Sequence, residues 1–126
     1  MNRKYTQDQL LSIMEQAMIS QCACPSLITR LASDLQNLYD YQLVCINKTN
    51  TDVEVHALIA QATIQSYGII EGCLEKVLTL EGWDMKTLKM PKYLIERQLA
   101  ELESGVVPSI CAVAPPPKKP VLSPSL

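Results

Sequence analysis

The chain has 126 residues, 48% of them hydrophobic, and a net charge of −2, which suits one domain with a core of its own. Its eleven Lys and Arg residues are scattered, so it lacks the basic stripe that phosphate binding needs, and this argues against nucleic acid as a partner. No apolar run reaches the ~20 residues that cross a bilayer, and no hydrophobic stretch follows the basic N-terminus, so a chain with neither membrane span nor signal peptide is expected.

The expected location is cytoplasmic. Five cysteines, an odd number without the spacing of a stapled scaffold, agree with a reducing compartment. A charged fraction of 19% is low for a free-standing surface, which points to some surface buried or covered by a partner.

The first predicted helix covers residues 6–20. Thr6 with Gln9 has the form of a capping box, and Leu10, Met14, Ala17 and Met18 form the inner face, widened by Leu11 and Ile13. A break follows at Cys22-Ala23-Cys24, and Pro25 suits the opening of a second helix, since the N–H it lacks has no intrahelical partner there. That helix is expected from about Pro25 to Ile46, with Cys24, Ile28, Leu31, Leu35, Leu38, Gln42 and Cys45 along one line. The polar segment Asn47-Lys48-Thr49-Asn50 then has the length of a connection between antiparallel helices.

The third helix is the longest. Thr51 and Glu54 form a second candidate capping box, and apolar residues recur three or four apart from Val55 to Leu80, passing through Leu58, Ile59, Ala62, Ile69, Ile70, Cys73, Leu74 and Val77. Gly82 supplies the stop, with Trp83 folding back on the last turn. Gly68 and Gly72 interrupt the helix on one face, each at a cost of about 1 kcal/mol against alanine. Tight packing inside the domain's own core is the expected reason for the pair, with a kink or a packing site for a partner helix as the alternative.

Asp84 is expected to cap one turn over 84–90. A shorter helix over 91–104 then carries Ile95, Leu99 and Leu102 as its stripe. From residue 106 the chain is rich in proline, and Pro115-Pro116-Pro117-Lys118-Lys119-Pro120 cannot continue a helix. The reading is an all-α protein: an antiparallel bundle of three main helices and a shorter fourth over 1–105, then a flexible tail over 106–126.

If the second and third helices fold about residues 49–50, Cys24 and Cys73 fall at one level with Cys22 nearby, whereas Cys45 is left near the bend beside His56. Three thiols suit a soft metal such as Cu(I), zinc with a fourth ligand, or an iron–sulfur centre, and equally a redox sensor. One C-x-C is a weak signal, because cysteine more often packs as a small hydrophobe. Cys22, Cys24 and Cys73 are therefore the candidate metal residues. Cys45 and His56 make no site alone. Nucleophile elbow, phosphate-cradling glycine loop and metalloprotease or di-iron histidine patterns are all lacking. The expected function is a non-enzymatic accessory protein that binds another protein or a second copy of itself, with the thiol module as the alternative and no particular cofactor indicated.

Overall fold

The computed structural model describes residues 1–19 and 22–104. These hold four helices and no named strand: α1 (Gln7–Ala17), α2 (Cys24–Val44), α3 (Asn50–Glu81) and α4 (Lys92–Ser104). The all-α class follows the sequence. The proline-rich segment 106–126 lies outside the described residues. At ~1.5 Å per residue α1 is about 16 Å long, α2 about 31 Å and α3 about 48 Å, so α1 has the reach to cover only part of the pair beside it.

Local chemistry sets most of the helix ends. Thr6 Oγ1 accepts from the Gln9 N–H at 3.1 Å and Gln9 Oε1 accepts from the Thr6 N–H at 2.9 Å, the reciprocal box read from the sequence. The start of α3 differs from expectation. Thr49, not Thr51, is the cap: its hydroxyl accepts from the Asp52 N–H at 3.1 Å, and Asp52 Oδ2 accepts from the N–H groups of Thr49 at 3.2 Å and Lys48 at 2.9 Å. Both threonines precede an acid by three residues, and the earlier one lets α3 begin at Asn50. The start of α2 also shifts. Ala23 occupies the cap position with no side-chain hydrogen bond, and Cys24 is the first helical residue with Pro25 second.

At the far end of α3, Gly82 adopts φ +85°. Its N–H donates to the Thr79 carbonyl at 3.1 Å and the Trp83 N–H to the Leu78 carbonyl at 3.0 Å, a Schellman motif whose partners Leu78 and Trp83 are both buried. The following segment is a tight loop. Asp84 Oδ1 accepts from the N–H groups of Lys86 and Thr87, and Asp84 pairs with Lys89 through an isolated bridge. Those backbone N–H groups hold the Asp84 carboxyl below its ordinary pKa.

The core lies where α1, the first half of α2 and the second half of α3 meet this loop: Leu10, Ile13 and Ala17 pack with Ala32, Tyr67, Leu74, Leu78, Trp83, Leu88, Met90 and Leu94. Gln16 ties α1 to the loop, donating to the Leu88 carbonyl and accepting from the Met90 N–H, each at 2.8 Å. The N-terminal segment is held by ion pairs of Arg3 with Asp40 and Lys4 with Glu75.

α2 turns only one edge of its apolar stripe inward: Ile28 and Leu35 pack against the core and Gln42 is buried. Thr29, Ala32, Ser33 and Gln36 are buried, whereas Leu27, Leu31 and Leu38 are exposed. Gln36 makes this polar interior workable: its Nε2 donates to the Tyr5 carbonyl and the Tyr67 hydroxyl, both at 2.8 Å, while its Oε1 accepts from Gln7 Nε2 at 2.9 Å. Gln7 also accepts from the Ser33 hydroxyl at 2.7 Å. Amide and hydroxyl dipoles that would be costly alone are mutually satisfied here. Burial is the main cause that pushes the Tyr67 pKa up to about 12.

Candidate apolar docking face

Leu74 is buried and Ile28, Leu35 and Ile70 pack against the core, but much of the rest of the apolar stripes of α2 and α3 forms an open surface along the seam between them. Cys24, Leu27, Ile28 and Leu31 of α2 line one depression together with Cys73 and Val77 of α3. An adjoining depression shares Cys73 and Val77 and extends through Gly68, Ile69, Gly72, Lys76 and Leu80. Leu80 is 85% exposed, Ile69 72% and Leu58 70%. The helical period puts Val55, Leu58, Ala62, Ile69, Cys73, Val77 and Leu80 along one side of α3, so the surface is elongated rather than a closed pocket.

Gly68 and Gly72 sit on this surface. A Cβ built on either meets nothing within 4 Å, so neither is required by packing within the described chain. This corrects the expectation that the pair serves the domain's own core: the glycines leave α3 locally bare where it faces outward.

The expected stripe of α4 divides: Ile95 packs against the core beside the buried Leu94, whereas Leu99 and Leu102 are exposed. On α1 the inner face is Leu10, Ile13 and Ala17, and Met18, expected inside, is exposed.

Of the three candidate thiols, Cys24 and Cys73 share the first depression, and both are exposed. Cys22 is half-buried and is not part of its lining. Among the described residues, no three His, Cys, Asp or Glu side chains form a group suited to a metal ion. Cys45 caps the C-terminal end of α2, as expected near the bend. His56 Nδ1 lies 2.6 Å from Asn47 Oδ1, a contact across the α2–α3 connection.

The sequence carried the signal for the open face, since its stripes were evident. What it lacked was a way to tell a stripe covered by the same chain from one left outside. The polar residues that do cross the interior, Gln36 above all, belong to no recognisable motif, and their role depends on Tyr5, Gln7 and Tyr67 arriving from elsewhere.

No protein-family model, curated protein or solved structure matches this chain. Among the described residues, no helix is long and apolar enough to cross a membrane.

Proposed function

We propose that the chain is a cytosolic, non-enzymatic accessory protein that works by binding protein through the apolar face of α2 and α3. The observation that carries this reading is the sustained exposure of Leu27, Leu31, Leu38, Leu58, Ile69 and Leu80 on two adjacent helices. Isolated exposed leucines are ordinary, but adjoining depressions lined by Leu27, Leu31, Ile69 and Leu80 along two packed helices mark an interaction site. The hydrophobic effect favours covering it, and the polar interior network keeps the fold in register without those side chains.

The experiment compares the wild-type chain, isolated gently from the cells that express it, with the Leu31→Glu/Ile69→Glu double variant by size-exclusion chromatography with light scattering. Both positions are exposed, so the helicity of the variant stays at the wild-type level. A wild-type species heavier than one chain, reduced to a single chain in the variant, supports the reading. A wild-type chain that runs alone overturns it.

A further inference from the structure

We infer that Cys24 and Cys73 are a redox pair, which a hydroperoxide converts to a disulfide that ties the first turn of α2 to α3. The inference concerns the two thiols alone and does not depend on the docking reading.

Placement comes first. Cys24 and Cys73 wall the same depression, one from each helix, and both are exposed, so an oxidant in solution reaches either. Residues 45–49 link the end of α2 to the start of α3, which brings the opening of α2, where Cys24 stands, level with the later part of α3. Packed helix axes lie roughly 8–10 Å apart, and each Cα sits ~2.3 Å from its axis. Two residues that flank one seam on the same side therefore have Cα atoms roughly 6–8 Å apart, against the ~4.4–6.8 Å that a disulfide spans. The small closure still needed falls on the first turn of α2, whose cap residue Ala23 makes no side-chain hydrogen bond.

The remaining cysteines are worse placed to react with either. Cys45 closes the far end of α2, roughly 31 Å from Cys24 along the helix. Cys22 does not line the depression, and a ring closed between it and Cys24 is strained. Cys111 lies outside the described residues.

The chemistry balances in two steps. Cys24, the first residue of α2, stands where the helix dipole favours negative charge. Its sulfur attacks a peroxide oxygen, the O–O bond breaks, and the departing hydroxide takes up a proton as water, leaving a sulfenic acid. The Cys73 sulfur then attacks the Cys24 sulfur, the S–O bond breaks, and a second water leaves. Two thiols and one hydrogen peroxide become one disulfide and two waters, with two electrons passing from sulfur to peroxide. In the reducing setting proposed above the pair rests as thiols, and a disulfide there is transient, the habit of a sensor rather than of a structural staple.

The test exposes the purified, reduced full-length chain to hydrogen peroxide, caps the remaining thiols with N-ethylmaleimide and reads a non-reducing digest by mass spectrometry. The dominant bridged peptide is expected to join Cys24 to Cys73, two hydrogens lighter than its parts, and dithiothreitol should reverse it. On a denaturing non-reducing gel the product should run as one chain. The bond closes a loop that contains the whole α2–α3 connection, which constrains the unfolded chain, so the melting midpoint should rise on oxidation. In Cys73→Ser, an exposed position where serine leaves the helicity unchanged, that rise should be absent and dimedone should trap the Cys24 sulfenic acid. Bridging of Cys24 to Cys22 or between chains overturns the inference. So does peroxide that leaves both thiols open to capping, or an identical bridge pattern in urea, where the fold no longer selects the pair.

Discussion

Replacing Gly68 and Gly72 by alanine is expected to stabilise the single chain. Each glycine sits well inside the 32-residue α3, where glycine costs about 1 kcal/mol relative to alanine. That gain is usually reduced or reversed when the new methyl group strikes a neighbour. Here a Cβ at either position has nothing within 4 Å, so the full propensity term is available. The two substitutions are four residues apart and add only small groups to open space. Their joint effect is roughly 2 kcal/mol, which for a folded unit of this size corresponds to about 8–16 °C in Tm. The assay is urea unfolding followed by far-UV circular dichroism, with wild type and variant at the same concentration. A chain destabilised by either alanine would refute the reasoning, because it would mean that α3 is packed closely on that side within its own fold.

Gln36→Leu removes a fully buried amide that serves Tyr5, Gln7 and Tyr67 at once. With buried polar groups left unpaired, a loss of about 3 kcal/mol is expected in urea unfolding, and a loss below about 1 kcal/mol would show the network to be dispensable. The cap assignment separates two nearby threonines: Thr49→Ala should cost about 1 kcal/mol and Thr51→Ala close to nothing, and the reverse order would move the start of α3. Stability should also fall in strong alkali. Burial first, and then the hydrogen bond with Glu71, raise the Tyr67 pKa from 10.0 to about 12. The folded state therefore holds the proton more tightly. Its contribution is complete below pH 10 and is lost as pH rises from about 10 through about 12. Thermal melts across that range should decline more steeply for the wild type than for Tyr67→Phe, and parallel curves would count against the assignment.

Much of the backbone was legible because its signals are local. The Thr6–Gln9 box, the Gly82 stop and the polar break at 47–50 act within a few residues of themselves, and each lies at or within two residues of the helix end it was taken to mark. The start of α3 was displaced because Thr49 and Thr51 carry the same local signature, and one sequence offers no means of ranking them. Facing was harder to read. Periodicity establishes that Leu27, Leu31 and Leu38 share one side of α2, but which side turns inward depends on what the rest of the chain presents to it. Here Tyr5, Gln7 and Tyr67 present hydrogen-bonding groups, so the side bearing Thr29, Ser33 and Gln36 goes inside. The same reasoning applies to the thiols. The hairpin register placed Cys24 beside Cys73 and kept Cys45 at the bend, yet the surface these two share is an apolar face, and Cys22 does not line it.

Hydroxyl-radical footprinting of side chains, on the dilute chain and on the assembled species, tests most directly whether the long face of α2 and α3 is where another protein sits. Leu58, Ile69 and Leu80 should lose reactivity on assembly, while Leu11 on α1 and Tyr93 on α4, also exposed, should keep theirs. Unchanged reactivity at the first three, or protection at Leu11 and Tyr93 instead, would contradict the account.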